Sequence, residues 1–294
     1  MLNLSVYLER YTKRIQTALD AQIPGETTPP ADLHKAMRYS IFAGGKRLRP
    51  ILCLAAAEVI GGDTAPAILP AIALEALHTY TLIHDDLPAM DNDELRRGKP
   101  TCHVVFGEAT AILAGDALLT LAFEWLAQTQ APPPYHPNQL SLELARAAGS
   151  LGVIGGQVED LQAEGQPPNA ERMEAIHRRK TGALLRASVR MGGIAAGAAH
   201  PALDALTGYG EKVGLAFQIM DDILNETSSA RALGKSAHTD RRHGKMTYVA
   251  VHGLDAARRR VAQLTKEAIA AIQTLQGSIE PLAVLAQSMG IRTH

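Results

Sequence analysis

The sequence is poor in cysteine, in aromatic residues and in uninterrupted apolar runs, and each shortage excludes a class of protein. Two cysteines among 294 residues, Cys53 and Cys102, cannot form a disulfide framework and lack metal-ligand spacing, so we interpret both as small buried hydrophobes. No stretch of about 18 consecutive apolar residues is free of charge, which argues against a membrane-spanning helix. The N-terminal segment reaches Glu9 and Arg10 without a long apolar run, so no secretory signal is predicted and the cytoplasm is the expected compartment.

The charge balance argues against a protein that binds nucleic acid through phosphates. Lys and Arg number 29 against 30 Asp and Glu, a formal net charge of -1. A nucleic-acid binder needs a basic field, which this chain lacks overall. At roughly 100 to 200 residues per domain the length allows one large domain or two small ones. Since no shift in composition marks a boundary, we predict one domain over residues 1–294.

Prolines divide the chain into segments with a helical pattern. Of the 16 prolines, 11 cluster near residues 24–30, 66–70, 132–137 and 167–168. Between them the chain is rich in Ala and Leu, with apolar residues at three- and four-residue spacing and few alternating β-branched runs, so an all-α fold is predicted. The predicted helices lie at 3–22, 31–43, 50–61, 68–86, 108–129, 138–164, 169–195, 201–226, 241–252, 255–275 and 280–289.

The segment HDDLPAMDND carries four carboxylates within nine residues, at Asp85, Asp86, Asp91 and Asp93. Pro88 lacks an N–H and clashes with the carbonyl four residues earlier, so a helix through the acid pair should end or kink there. The carboxylates then lie near a helix C-terminus, where the helix dipole disfavours negative charge. Such a cluster suits Mg²⁺, which takes one or two carboxylates and completes its shell with water and substrate phosphate. A solvated acidic loop is the alternative interpretation.

A second acidic cluster resembles the first. Asp221 and Asn225 are four residues apart in a predicted helix, so both project from one face, with Asp222 beside them. LIHDD at 82–86 is echoed by QIMDD at 218–222, each acid pair following an apolar run. Two such clusters are what the two walls of a shared metal site would need.

Basic residues are concentrated close to the first acidic cluster. GGKRLRP at 44–50 places three cations in four residues after two glycines, and RRGKP at 96–100 repeats this chemistry. Glycine permits a close backbone approach to an anion, Arg can fork onto phosphate oxygens and Lys supplies a compact charge. Either segment alone could be a charged turn, but cations beside carboxylates indicate phosphate bound with a metal. The absence of GxxxxGK[ST] and of a strand-led GxGxxG argues against nucleotide sites.

Six motifs occur in one order along the chain. They are GGKRLRP at 44–50, LIHDDLPAMDNDELRRGKPTCH at 82–103, AILAGDALLTLAF at 111–123, GGQVEDL at 155–161, Lys180-Thr181, and FQIMDDIL at 217–224. With these motifs the sequence resembles the trans-isoprenyl diphosphate synthase family nearly end to end, and most closely its bacterial farnesyl diphosphate synthases. The resemblance implies a helical bundle around a deep central cavity, the isoprenoid synthase fold, with the two acidic motifs on facing helices. It also implies a homodimer.

The resemblance implies roles for individual residues. Three Mg²⁺ ions would be held mainly by Asp85 and Asp91, assisted by Asp86, and by Asp221. The allylic diphosphate would be bound by those metals and by Arg96, Lys180, Thr181, Gln218 and Lys235. Isopentenyl diphosphate would be bound by Lys46, Arg49, His78 and Arg97. The expected catalytic residues among these are Asp85, Asp91, Arg96, Lys180, Asp221 and Lys235. A single His in an apolar helix is usually a core residue, but His78 stands seven residues before Asp85, where the family has its binding His.

The implied reaction joins isopentenyl diphosphate to dimethylallyl and geranyl diphosphate, giving (2E,6E)-farnesyl diphosphate by Mg-assisted ionisation and head-to-tail coupling. Cavity depth below the first acidic motif would set the chain length. Tyr80, five residues before Asp85, lies about one and a half helical turns, roughly 7 Å, below it. An aromatic residue there, with the insertion Pro88-Ala89, resembles the C15-making bacterial type. Tyr80 as an ordinary core residue is the alternative.

Other functions are compatible with parts of this pattern. A geranylgeranyl diphosphate synthase would differ only in a deeper cavity. A class I terpene cyclase shares the acidic motifs but has one diphosphate substrate, so it would not need Lys46, Arg49 and Arg97. A non-catalytic partner of another prenyl synthase typically loses acidic motifs, and Asn225 is the only hint of such a loss.

The second acidic motif departs from the family's DDxxD, because its last position is Asn225. A carbonyl oxygen is a weaker Mg²⁺ ligand than a carboxylate, so we expect an active enzyme with a raised Mg²⁺ requirement. Asn225→Asp should lower the Mg²⁺ concentration that gives half-maximal rate in a titration of activity. A requirement unchanged by the substitution would contradict this expectation.

Overall fold

The helical spacing of the sequence produces helices along almost the whole computed structural model, which describes residues 2–227 and 245–291. The helices are α1 (Leu4–Gln22), α2 (Ala31–Ile41), α3 (Leu48–Gly61), α4 (Ile68–Asp85), α5 (Cys102–Phe106), α6 (Glu108–Ala127), α7 (Gln139–Ala148), α8 (Val153–Ala163), α9 (Ala170–Ile176), α10 (Ala183–Ala195), α11 (His200–Thr227), α12 (Tyr248–His252), α13 (Leu254–Ala271) and α14 (Glu280–Gly290). A 3₁₀ turn, Ala65–Ala67, precedes α4, and a π-helical turn, His177–Gly182, joins α9 to α10. The predicted all-α class is confirmed.

The helix predicted at 138–164 is two helices, because glycines interrupt it. The N–H of Gly149 bonds to the carbonyl of Ala145 and ends α7. A β-carbon at Gly152 would overlap the carbonyl oxygen of Ala147, so the chain can fold this tightly only without a side chain there. Helix α8 therefore begins afresh at Val153.

The structure differs from the prediction in four further details. The helix predicted at 169–195 contains the π-helical turn, and α5 was not predicted at all. Strands β1 (Leu95–Arg96) and β2 (Lys99–Pro100) form a short antiparallel hairpin where no strand was expected. The helix predicted at 241–252 begins at Tyr248, where the Thr247 hydroxyl caps it; residues 241–244 lie outside the described part.

Helix α4 runs through the main hydrophobic core and is buried along most of its length. It packs against α3 and α6, while α11 packs against α10 and α13. Cys53 and Cys102 are free thiols buried in the same core, as predicted. Because each acid pair stands at or near the C-terminal end of a core helix, the packing of α4 and α11 fixes where the carboxylates lie.

Two stretches are long and apolar enough to cross a membrane when a few charges are tolerated. They are Ala65–Asp85 and α6, with 67% and 39% of their apolar windows buried inside the structure. Core helices of globular proteins share this length and composition, so these properties alone do not assign a span. The lower burial of α6 leaves Ile112 and Leu113 exposed on its surface.

A buried ion pair fixes the basic loop that precedes α3. Arg47 has a left-handed backbone conformation, with φ of 49°, and its side chain turns inward. Its Nη1 donates to Glu75 Oε1 at 2.5 Å and its Nη2 donates to the Ile41 carbonyl at 2.5 Å. The side chains of Arg47 and Glu75 are 1% and 3% exposed. Arg47 therefore anchors the loop to α4, while its neighbours Lys46 and Arg49 line the cavity.

Glu75→Ala should destabilise the protein strongly, because it leaves the guanidinium of Arg47 buried without its carboxylate. We expect a loss of about 3–5 kcal/mol in the free energy of unfolding, measured by urea denaturation. Glu124→Ala, an equivalent change on the exposed side of α6, should alter that free energy by less than about 0.5 kcal/mol. Equal losses in the two variants would contradict the anchoring role of the pair.

Candidate active site

One cavity of about 1950 Å³ gathers the predicted functional residues. Residues from α4, α8, the π-helical turn and α11 line it. The predicted residues in its lining are Lys46, Arg49, His78, Tyr80, Asp85, Asp91, Arg96, Arg97, Lys180, Thr181, Gln218 and Asp221. Lys235 lies outside the described residues. Motifs that are far apart in the sequence thus meet in one space.

The first acidic motif follows the end of α4. The helix ends at Asp85 with Asp86 as its C-cap, as the proline two residues later predicts. The chain then turns back, and the N–H of Asp91 donates to the carbonyl of Asp85 at 2.9 Å. This turn places Asp85 and Asp91 together in the cavity wall although they are six residues apart.

The carboxylates of this wall stand in a largely desolvated environment. Burial raises the pKa of Asp85 to about 6; Lys180 opposes the rise and Asp91 adds to it. Burial would also raise the pKa of Asp91, but the charges of Lys245 and Lys180 outweigh it and lower that pKa. A hard divalent cation would stabilise the ionised form of both groups, so this set of oxygen ligands fits Mg²⁺.

The second acidic motif lies on α11. Asp221 and Asn225, one helical turn apart, both line the cavity, as their spacing predicts. Asn225 is buried. Asp222 is also buried, and its Oδ2 accepts the backbone N–H of Tyr248 at 2.7 Å. The two acidic motifs therefore contribute carboxylates to one cavity from different helices.

Sequence reasoning missed two charged residues that connect the walls. Lys245 Nζ lies 3.1 Å from Asp91 Oδ1 and 3.8 Å from Asp160 Oδ2. Asp160 in turn accepts from Lys180 Nζ at 2.6 Å. Asp160 belongs to the GGQVEDL motif and Lys245 is a cation downstream of the second acid pair, so both carried a signal. Only the folded structure shows that acidic and basic side chains follow one another in contact, in the order Asp91, Lys245, Asp160 and Lys180.

The π-helical turn presents Lys180 and Thr181 to the cavity. Such turns are rare and occur frequently at functional sites, because the extra residue redirects side chains. The Thr181 hydroxyl donates to Gln218 Oε1 at 2.6 Å, so the turn is joined to α11. Lys180 and Thr181 therefore stand beside the second acidic motif.

The two basic segments touch each other. The guanidinium of Arg97 donates to the carbonyl of Gly44. A β-carbon at Gly45, whose φ is 116°, would lie 2.5 Å from Arg97 Nη1. Gly45 therefore leaves room for Arg97, whereas the space beside Gly44 is open, and anion binding at the backbone of these glycines stays a prediction.

Arg49 and His78 form the inner part of the basic region. Burial lowers the pKa of Arg49 to about 10, so its guanidinium is still charged at neutral pH. Burial, together with the charge of Arg49 and other arginines, lowers the pKa of His78 well below its usual value. His78 is therefore an uncharged hydrogen-bonding group beside fixed positive charges.

Comparison with known proteins agrees with this geometry. The polyprenyl synthetase family model matches residues 30–282. Farnesyl diphosphate synthase of Escherichia coli (strain K12) is 46% identical over 274 residues, which cover 91% of each chain. Geranylgeranyl pyrophosphate synthase 4 of Arabidopsis thaliana is 44% identical over 292 residues, 98% of this chain and 78% of that protein. The crystal structure of an FPP/GFPP synthase from Zymomonas mobilis superposes with a TM-score of 0.85 at 36% identity, over 98% of this chain and 99% of that one.

Fold, cavity and relatives together define the class of this protein as an all-α trans-prenyltransferase of isoprenoid synthesis. The chain belongs to the polyprenyl synthetase family. Enzymes of this family use a divalent metal, which agrees with the oxygen ligands in the cavity. The relatives include both farnesyl and geranylgeranyl synthases, so membership by itself leaves the product length open.

Asp85→Asn should stabilise the metal-free protein at neutral pH while it abolishes turnover. The folded-state pKa of about 6 exceeds the usual 3.8, so the ionised carboxylate opposes folding at neutral pH, and this opposition fades as the pH falls through the folded pKa towards the unfolded one. Thermal unfolding in EDTA should show a gain of about 1–3 kcal/mol at pH 7.5, at least halved at pH 4.5.

Asp204→Asn, a change at an exposed position of α11, is the matched control and should give no gain at either pH. If Asp85→Asn has the wild-type midpoint at pH 7.5, the carboxylate is not held in an unfavourable environment.

Proposed function

We propose that the chain is a farnesyl diphosphate synthase, which condenses isopentenyl diphosphate with dimethylallyl and then geranyl diphosphate to give (2E,6E)-farnesyl diphosphate. The observation that carries this proposal is the position of Tyr80, whose side chain lines the cavity on the same helix as Asp85. The rise of an α-helix puts Tyr80 roughly 7 Å from Asp85 along α4. A chain growing inward from the diphosphate site would meet the ring at that depth.

Each of the two cation groups is assigned to one substrate. Lys46, Arg49, His78 and Arg97 would bind isopentenyl diphosphate. Arg96, Lys180, Thr181 and Gln218, with Lys235, would bind the allylic diphosphate. Lys46 belongs to the basic loop before α3 and Arg97 contacts this loop, whereas Lys180 is paired with Asp160 and Thr181 is joined to Gln218 on α11. This separation supports two diphosphate ligands, whereas a terpene cyclase would need only one.

The metal site is assigned to the facing carboxylates. Asp85 and Asp91 on one wall and Asp221 on the other would hold Mg²⁺, with three ions as the number that the resemblance implies. Bound Mg²⁺ supplies Lewis-acid stabilisation of the charge on the leaving diphosphate. Helix α4 ends at Asp85 and helix α11 carries Asp221, so the packing of these two helices fixes where two of the three proposed ligands begin.

The chemistry consists of three bond changes. The allylic C–O bond ionises, the isopentenyl double bond attacks the resulting carbocation, and a proton leaves to form the new alkene. Arg96 and Lys180 would stabilise the negative charge that the diphosphate gains, more in the transition state than in the ground state. The departing diphosphate accepts the proton, so His78 is assigned a binding role and no general base is needed.

The carbocation must be kept from water, and the cavity wall suits this need. Apolar side chains from α8 and α11 line it beside the polar groups: Val153, Ile154, Val158, Leu161, Phe217 and Leu224. This apolar part of the wall excludes water and carries no nucleophilic group that could react with the cation.

The ring of Tyr80 is held in a defined place. Its residue is 6% exposed, and the ring packs edge-on against His84 with centroids 5.5 Å apart. His84 Nε2 in turn lies 3.0 Å from the carbonyl oxygen of Ile112 on α6. Contacts between α4 and α6 thus support the aromatic ring, which favours a fixed depth and a C15 product.

A geranylgeranyl diphosphate synthase is the second candidate, because a similar relative from Arabidopsis thaliana carries that name. It would require the prenyl chain to pass Tyr80. A non-catalytic partner is disfavoured because Asp85, Asp91 and Asp221 all line the cavity.

We also propose that the protein acts as a cytoplasmic homodimer without a membrane span. All but two of the large exposed hydrophobic side chains among the described residues lie between Leu95 and Val158, including Val104 and Val105 on α5 and Leu113 on α6. Exposed apolar side chains of this kind would be buried by contact with a second copy. Analytical ultracentrifugation would test the dimer.

The product assay tests the proposed function directly. Purified protein incubated with labelled isopentenyl diphosphate and geranyl diphosphate should give a C15 product. Tyr80→Ala should shift the product to C20 or longer, because the aromatic ring no longer limits the cavity. Tyr135→Ala, which removes a tyrosine outside the cavity lining, should leave C15 as the product. A wild-type C20 product would favour the second candidate, and an unchanged C15 product from Tyr80→Ala would place the limit elsewhere.

A further inference from the structure

In the two acid pairs, Asp85-Asp86 and Asp221-Asp222, the two neighbouring aspartates differ in exposure. In each pair the first aspartate, Asp85 or Asp221, lines the cavity and is partly exposed, whereas the second, Asp86 or Asp222, is only 3% exposed; Asp222 borders the cavity and Asp86 does not. We propose that the second aspartates, Asp86 and Asp222, are positioning residues that fix diphosphate-binding side chains, and that they are not metal ligands. This inference rests on the proposed diphosphate subsites and differs from the expectation that Asp86 assists in binding metal.

Helix geometry makes the division natural. Consecutive residues of an α-helix point about 100° apart, because 3.6 residues make one turn. When Asp85 at the end of α4 and Asp221 in α11 face the cavity, the next residue in each helix reaches a neighbouring segment: Asp86 contacts Arg96, and Asp222 accepts the N–H of Tyr248. One aspartate of each pair can therefore face the cavity while the adjacent one positions a neighbouring side chain.

Asp86 forms a hydrogen-bonded ion pair with Arg96. The side chain of Asp86 is 4% exposed, and its Oδ1 lies 2.5 Å from Arg96 Nη2. Arg96 Nε donates to Oδ1 at 2.7 Å and to Oδ2 at 2.9 Å. A bidentate contact of this kind fixes the plane of the guanidinium. Arg96 also lines the cavity, so the carboxylate holds one edge of the guanidinium and leaves Nη1 for a diphosphate oxygen.

Asp222 has the same relation to Gln218. Gln218 Nε2 donates to Asp222 Oδ1 at 3.0 Å, and the Thr181 hydroxyl donates to Gln218 Oε1 at 2.6 Å. A carboxylate can only accept, so it fixes which end of the Gln218 amide faces Thr181. Both residues of the allylic subsite on this wall are therefore oriented by one buried carboxylate.

Asp222 also holds the segment that carries Lys245. Its Oδ2 accepts the N–H of Tyr248 at 2.7 Å and lies 3.5 Å from His177 Nε2. Burial lowers the pKa of His177 to about 4, so this imidazole is uncharged at neutral pH. The backbone contact fixes the chain three residues after Lys245, whose ammonium lies beside Asp91.

The decisive experiment compares Asn substitutions in the two kinds of aspartate. In Asp86→Asn and Asp222→Asn, the KM for geranyl diphosphate should rise about 10- to 100-fold, the size expected for losing a charge-assisted hydrogen bond. The Mg²⁺ concentration for half-maximal rate, measured at saturating substrates, should stay within twofold of wild type. Asp85→Asn and Asp221→Asn should raise that Mg²⁺ concentration at least tenfold or abolish turnover. Asp204→Asn is the control and should change neither quantity.

Two further measurements separate positioning from a general structural role. Isothermal titration calorimetry with inorganic pyrophosphate at saturating Mg²⁺ should show weakened binding in Asp86→Asn, with an unchanged KM for isopentenyl diphosphate in kinetics. If Asp86 acts only by orienting Arg96, its substitution should have no further effect once Arg96 is replaced by Gln. The double variant Asp86→Asn/Arg96→Gln should therefore bind pyrophosphate within twofold of Arg96→Gln alone.

A Mg²⁺ requirement raised at least tenfold in Asp86→Asn or Asp222→Asn would overturn the inference, as would additive losses in the double variant. Equal rises in KM for both substrates would also overturn it, because they indicate general distortion. The proposed function is judged separately by the wild-type product assay, so its failure is visible without these variants.

Discussion

The structure depends on one electrostatic constraint, which is that several carboxylates share a partly desolvated cavity. Like charges repel and burial disfavours the ionised form, and the raised pKa of Asp85 records both effects. The protein keeps these groups in place by packing: Asp85 ends a helix embedded in the core, and Asp221 belongs to another. The arrangement is unfavourable for the protein alone and favourable once cations and diphosphate are present, a common relation between stability and function.

Lysine and arginine side chains compensate the negative charge of the carboxylates. Lys180 and Lys245 contact acidic groups of the cavity, Arg96 is bound by a buried carboxylate, and the charge of Arg47 is paired with Glu75 at the cavity wall. Positive charge is thus fixed near the site before any ligand binds, so little reorganisation is needed when a diphosphate leaves. The apolar side chains of α8 and α11 complete the site by excluding water.

The fold class and most of the lining could be predicted from the sequence, because they depend on local signals. Apolar spacing gave the helices, Pro88 gave the end of α4, and motif order gave the resemblance that located the acidic and basic groups. The remainder depends on contacts between distant segments. Nothing local distinguishes Arg47 from Lys46, yet the first is buried on Glu75. The space that Gly45 leaves for Arg97 and the contact of Lys245 with Asp91 join residues more than fifty positions apart, and Gly152 breaks a helix that the apolar pattern alone would continue.

The central claim is that carboxylates from α4 and α11 hold divalent metal around one diphosphate. Crystals grown with Mn²⁺ in place of Mg²⁺ and a bisphosphonate, measured at the manganese absorption edge, test it most directly. The account predicts anomalous peaks between the bisphosphonate oxygens and the side chains of Asp85, Asp91 and Asp221. Peaks at other positions, or a bisphosphonate bound with no metal at these carboxylates, would contradict it.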